Sequence, residues 1–275
     1  MRIVILASSV YSESACAMAV RVAEAGHVPA GALALRTLDR GTLLRKFGQW
    51  GPREVARYAR AKLIPHRGDE RSQVRNTHLQ PALQHERGVF RSLREVASLY
   101  GFPVVVCHDQ NASDSIARLR DWSPDLIIFA GGNILRKQLL EVPHLGVLNL
   151  HLGLLPETRG MSSPEWSLLN HVPVGITIHY MDAGIDTGPI LQRCEFPDAS
   201  QCESLSDLRN RLIAFGVEKV AGVVAGLDRG TISATPQSDL HKDNQFFVMH
   251  EWLQKRAAER LTKSRLAAFA GTVSG

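Results

Sequence analysis

Short apolar runs alternate along this chain with stretches whose apolar residues recur every three or four positions. Arg2 to Ala7 is a β-rich apolar run, and Val28 to Leu35, Pro103 to Cys107, Asp125 to Ala130, Gly146 to His151 and Gly175 to Met181 read as further strands. Helical spacing lies between them: from the turn at Ser8-Ser9 to about Ala25, Val89 to Tyr100, Ser113 to Trp122 and Ser163 to Asn170. Strands apolar on both faces, alternating with helices, predict an α/β fold, a Rossmann-like and mostly parallel sheet covered on both sides. The alternation breaks at about residues 36–84. There Leu43, Leu44 and Phe47, then Val55, Tyr58 and Leu63, predict two short amphipathic helices around Gly51-Pro52, and His66 to Gln84 reads as a loop. Ser204 to Gly226 and Asp243 to Leu261 predict helices, so the chain divides into a main domain, 1–200, with a helical insertion, and a mainly helical C-terminal extension, 201–275.

Composition adds charge placement. The 275 residues carry a net charge of +5, yet Arg36 to Arg94 alone holds 14 Lys/Arg against 5 Asp/Glu. A basic patch of this kind fits an anionic partner, or a solvated helical surface that keeps the chain dispersed. Four cysteines, Cys16, Cys107, Cys194 and Cys202, form no CxxC pair, against a zinc ribbon or a disulfide scaffold. No apolar run approaches the roughly 20 residues that span a bilayer. The first run is short for a secretion signal, and a cytoplasmic location is expected.

Two stretches carry candidate chemistry. In Gly146-Val-Leu-Asn-Leu-His-Leu-Gly-Leu-Leu-Pro156, Asn149 and His151 share one face of a strand and end it. An amide and an imidazole aimed at one point beyond a sheet suit a developing oxyanion. In Gly175-Ile-Thr-Ile-His-Tyr-Met-Asp-Ala-Gly-Ile-Asp-Thr-Gly-Pro-Ile190, a strand bearing Thr177 and His179 turns through Asp182, Gly184, Asp186 and Gly188. The Gly131-Gly132 turn, His151 and Asp182 fall at the carboxyl ends of their strands, where open α/β sheets bind ligands. Taken singly, Asn149 is equally a turn cap and Asp186 a solvated carboxylate.

Together, VLNLHLGLLP and GITIHYMDAGIDTGPIL resemble the signature of the folate-dependent formyltransferases, strongly over about residues 100–196. The resemblance implies the formyltransferase-type sheet, an Asn–His–Asp trio at Asn149, His151 and Asp186, and a supporting histidine at His179. It implies a folate pocket at Gly131, Gly132, Asn133, Ile134 and Leu135 and at Met181, Asp182, Ala183, Gly184 and Ile185. 10-Formyltetrahydrofolate is the expected formyl donor, with no metal.

The departures bear on the acceptor. Where the ribonucleotide-formylating branch of the family has a Gly-Ser-rich phosphate loop after its first strand, this chain has Ala7-Ser-Ser-Val-Tyr-Ser-Glu13, without glycine. The tRNA-formylating branch continues into a basic β-barrel. Here mainly helix is expected after Phe196, so a tRNA acceptor is disfavoured. The expected acceptor is an amine or hydroxylamine of a small specialised metabolite, such as an amino sugar nucleotide or a siderophore or antibiotic precursor, anionic or carrier-bound. Tyr11, Arg159 and Trp166 are its candidate contacts. The rivals are a 10-formyltetrahydrofolate hydrolase and a non-catalytic binding protein.

Overall fold

The computed structural model describes residues 1–36, 76–86, 88–238 and 244–273. The two helices expected near residues 43–63, and most of the basic segment, lie outside the described residues. Among those described, seven strands form the main sheet: β1 (Ile3–Ala7), β2 (Gly31–Leu35), β3 (Val104–Cys107), β4 (Leu126–Ala130), β5 (Gly146–His151), β6 (Gly175–Tyr180) and β7 (Ile190–Glu195), in the order β7-β6-β5-β4-β1-β2-β3. β1 to β5 run parallel, while β6 is antiparallel to β5 and β7 to β6. The mostly parallel α/β sheet read from the apolar pattern is therefore present. β7 has no counterpart in that reading. It is an edge strand carrying Gln192, Arg193 and Glu195, and such strands lack the continuous apolar signal of central ones.

Six longer helices flank the sheet: α1 (Glu13–Glu24), α2 (Leu93–Tyr100), α3 (Ser113–Trp122), α4 (Ser163–Asn170), α5 (Leu205–Asp228) and α6 (Glu251–Val273). Their starts follow local capping chemistry. Ser204 Oγ accepts from the Asp207 amide, and the Asp207 carboxylate accepts from the Glu203 amide, a reciprocal cap on α5. Ser92 caps α2 in the same manner, so that helix begins at Leu93 rather than Val89; Gly88-Val89 pairs instead with Gln84-His85. The expected loop before it contains a 3-10 turn, Thr77–Leu79, and a short helix, Gln80–Leu83, that bury Leu79 and Leu83. The last helix starts at Glu251, not Asp243, because Gln245-Phe246 pairs in parallel with Arg159-Gly160. No helix among the described residues is long and apolar enough to cross a membrane.

The alternation along each strand feeds two cores. Ile3, Ile5, Leu126, Ile128, Leu148, Ile176 and Ile178 point to the side of α1 and α5, whose Ala17, Val20, Leu212 and Val220 complete that core. α5 comes so close that Leu150 occupies the place of a Cβ on Gly216. Val4, Leu6, Leu33, Ile127 and Val147 face the other side, under Ile116 and Leu119 of α3 and Leu135 and Leu139. On that second face the apolar row of β5 continues past Val147 into Asn149 and His151, and the fold turns there from core to chemistry.

The chain after β5 is anchored from α5. Glu165 in α4 is 3% exposed, and its two carboxylate oxygens accept from Arg209 Nε at 2.6 Å and Nη2 at 2.7 Å. Arg209→Met leaves that carboxylate buried and unpaired, with an expected loss of about 3 kcal/mol in unfolding free energy. Urea denaturation of this variant beside Glu165→Gln, which buries no charge and is expected to lose less, checks the figure.

Candidate active site

Strand register brings the polar residues together. Asn149 lies opposite His179, and His151 opposite Thr177, on neighbouring antiparallel strands. Thr177 is fully buried, donates to the Gly153 carbonyl at 2.7 Å and accepts from the Leu155 amide at 3.0 Å, which fixes the turn after His151. Gly153 is required there, since a Cβ would meet His151 Nε2 and Thr158 Oγ1. Asp186 enters from the loop between β6 and β7. Its Oδ2 lies 3.4 Å from His151 Nδ1 and its Oδ1 3.6 Å from His179 Nε2, and Oδ2 accepts from the Gly160 amide at 2.8 Å.

One expectation changes. Because β6 is antiparallel to β5, its carboxyl end does not lie at the carboxyl edge of the parallel strands. The Met181 amide bonds the Val147 carbonyl, so Asp182 lies near the amino end of β5. Asp186 reaches His151 because the loop doubles back to Ile190, which pairs with His179.

The carbonyl partners constrain the proton states. His151 Nε2 is 2.6 Å from the Thr158 carbonyl, which can only accept, so Nε2 carries a proton. In neutral His151, Nδ1 then offers a lone pair to Asp186; only the imidazolium donates to both partners. His179 Nδ1 donates to the Tyr180 carbonyl at 2.8 Å, so neutral His179 accepts at Nε2 from the Asn149 amide, 3.1 Å away. The second Asn149 N–H is not used in that bond.

Burial pushes the His151 pKa down, and although Asp186 and the Thr158 carbonyl push it up, the net direction is down. Burial alone would raise the Asp186 carboxyl. The ring nitrogens of His179 and His151 beside it and the Gly160 amide outweigh it and hold Asp186 below the usual carboxylate range. Both depressions act on stability with one sign. As pH falls below about 6.5 the unfolded chain takes up a proton that folded His151 refuses, and below about 3.9 the unfolded chain protonates the aspartate first. Stability contributed by each group is thus lost on acidification, His151 first. The stability difference between the wild type and His151→Gln is expected to shrink as pH falls from 7 through the window below 6.5, in urea denaturation series. Parallel curves would show that His151 is not buried neutral.

The turn after β4 follows Phe129 and Ala130, and Phe129 pairs with Asn149. Gly131 has φ +101° and Gly132 φ +153°, and a Cβ on Gly132 would collide with the side chain of Gln110. Gln110 is fully buried, donates to the Ala7 and Gly131 carbonyls and accepts from the Asn133 amide at 3.0 Å. It supports the turn and was missed, because a single glutamine in a loop has no pattern. Asn133 Oδ1 is buried without a hydrogen-bond partner among the described residues. Ile134 is 91% exposed and Ile185 53% exposed, while Leu135 and Met181 pack on one shared cluster beneath the two loops. Asp182 Oδ1 accepts from the Gly184 amide and Thr187 Oγ1, which folds its own loop; Ala183 and Gly184 are exposed there.

The three candidate acceptor contacts separate. Tyr11 is exposed on the loop after β1, Arg159 is buried, and Trp166 stacks on Phe246 at 4.9 Å and donates to the Phe247 carbonyl at 3.0 Å. Trp166 thus ties α4 to the segment before α6.

The comparisons with known proteins agree on one family. A family model described as formyl transferase matches residues 68–224. A methionyl-tRNA formyltransferase of Pelobacter propionicus is 36% identical over 149 residues, 54% of this chain and 46% of that protein. One of Pseudomonas paraeruginosa is 32% identical over 179 residues, 62% of this chain and 57% of that protein. The chain spans about half the length of the curated relatives it matches. Among solved structures, glycinamide ribonucleotide transformylase 1 from Symbiobacterium toebii shares the fold at TM-score 0.55 and 18% identity, covering 86% of this chain and 94% of that one. A sugar N-formyltransferase from a Shewanella species does so at TM-score 0.52 and 16% identity, covering 90% and 76%.

Proposed function

The chain belongs to the formyl transferase family, and we propose that it moves a formyl group from 10-formyltetrahydrofolate to the nitrogen of a small amine or hydroxylamine. The observation that carries this reading is the convergence of an amide, two imidazoles and a carboxylate on one face at the end of β5. The walls fit a flat, polar-edged donor. Two glycines leave main chain bare, Asn133 Oδ1 has no partner among the described residues, and the exposed Ile134 and Ile185 offer apolar contact.

The donor supplies a formyl carbon on a nitrogen leaving group. Attack by the acceptor amine puts negative charge on the formyl oxygen and positive charge on the amine. Asn149 turns its second N–H to that oxygen. His151, as imidazolium, donates beside it once it gives up one of its two partners, and Asp186 offsets the cost of charging a buried ring. Asp186 then accepts the amine proton, directly or through water, the imidazolium gives its proton to the departing nitrogen, and Asp186 passes its own to His151, which restores both groups.

The acceptor proposed is an amino sugar nucleotide or a siderophore or antibiotic precursor, received on the side of Tyr11 and Arg159. A tRNA acceptor is a second reading, favoured by two observations: the curated relatives are methionyl-tRNA formyltransferases, and the segment Arg36 to Arg94 is strongly basic. The test follows tetrahydrofolate release from 10-formyltetrahydrofolate alone, with a panel of small amines, and with methionyl-tRNA. Turnover that depends on a small amine supports the proposal. Turnover only with the tRNA replaces the acceptor, turnover with no acceptor means a hydrolase, and none at all leaves a binding protein.

A further inference from the structure

Asp186 works from a loop, and a loop carboxylate is only as well placed as the main chain beneath it. We infer that Gln237, on the segment that follows α5, is a positioning residue for Asp186; the inference rests on the transfer reading above. Gln237 Nε2 donates to the Asp186 carbonyl at 3.0 Å and to the Gly188 carbonyl at 2.7 Å, so one amide bridges both ends of the turn. The segment is seated by Thr235, whose amide and carbonyl both bond Ile190 at 2.8 Å.

Three features say that this turn needs holding. Asp186 has φ +52°, a left-handed conformation that a residue with a side chain keeps only when its surroundings enforce it. Gly188 lies against the Tyr180 carbonyl with no room for a Cβ. Gln237 Oε1 is buried with no partner among the described residues, so the amide keeps its orientation for the sake of the two carbonyls. Reversing it would set oxygen against two oxygens.

The same part of the chain also grips the carboxylate end. The Gly160 amide donates to Asp186 Oδ2, Gly160 pairs with Phe246, and the Met161 amide donates to the Phe246 carbonyl. Main chain and side chain of Asp186 are thus both fixed through Thr235, Gln237 and Phe246, beyond the 68–224 that the family model matches. Gln237 touches neither reacting group and acts by keeping the charge of Asp186 beside His151.

The test uses the full chain with Gln237→Met, which keeps the length of the side chain and loses both donors, and Gln237→Leu, which loses both donors without adding a charge. Two readouts are taken: the His151 titration by nitrogen-15 NMR, and kcat against KM for 10-formyltetrahydrofolate. Both variants are expected to move the His151 titration to lower pH, the direction produced by Asp186→Asn. Gln237→Met is expected to lower kcat about tenfold with KM within about twofold. If one variant does not fold, the other carries both readouts. An unmoved His151 titration overturns the inference whatever the rate does, since Gln237 would then be only structural. Absence of formyl transfer by the wild type would instead sink the transfer reading, with the titration still deciding the role of Gln237.

Discussion

Asp186→Asn is expected to lower kcat for formyl transfer by at least about 100-fold, equivalent to about 2.7 kcal/mol of transition-state stabilisation, while KM for the folate changes little. Asparagine keeps the shape of the loop, because its Oδ1 still accepts from the Gly160 amide and Gln237 binds main chain that the substitution leaves alone. Only the charge changes. In the wild type that charge opposes the burial that depresses the His151 pKa. Without it, the charged ring in a buried site has only the Thr158 carbonyl to offset its desolvation. That loss holds His151 neutral. The measurement is kcat and KM across pH 5 to 9, with the alkaline fall of kcat set by loss of the imidazolium and expected at lower pH in the variant. A variant within about tenfold of wild-type kcat would mean that Asp186 shapes its loop and moves no proton.

The sequence made the core of this arrangement readable because strands obey a strict period. Asn149 and His151 lie two apart, so their shared face followed from the pleat alone, and the apolar run around them marked a central strand. Placing His179 beside Asn149 needed register and direction, which the composition of a strand does not encode. For that reason Asp182 was expected at the wrong edge. The helix boundaries show the same limit from another side. α2 starts at Leu93 because the Ser92 hydroxyl reaches the Glu95 amide, whereas the apolar spacing already begins at Val89. The segment before α6 reads as helix until Phe246 is seen to pair with Gly160. Gln110, Thr158, Gly160 and Gln237 act through one or two backbone bonds across long separations, and no local pattern announces them. Trp166 shows the converse: a conspicuous residue beside the motif whose ring and N–H are already engaged by Phe246 and Phe247.

The hydrogen bonds divide labour between the two residues of the β5 motif, and Asn149→Ala tests the division. Both ring nitrogens of His151 face acceptors, Thr158 and Asp186, so in this geometry the ring must give up one partner before it can donate to a substrate oxygen. Asn149 spends one N–H on His179 and retains the other. The amide is therefore the donor already available for charge developing on the formyl oxygen, and its removal is expected to lower kcat by about 100- to 1,000-fold with little change in folate affinity. The nearly isosteric Asn149→Asp sets an anion beside Asp186 at neutral pH and is expected to be at least as slow as alanine. Folate binding measured by fluorescence titration separates the outcomes. An equal loss of affinity and rate in Asn149→Ala would make the amide a wall of the pocket. A loss of rate alone, with His179 still bonded to the Tyr180 carbonyl, assigns it to the oxygen that carries the charge.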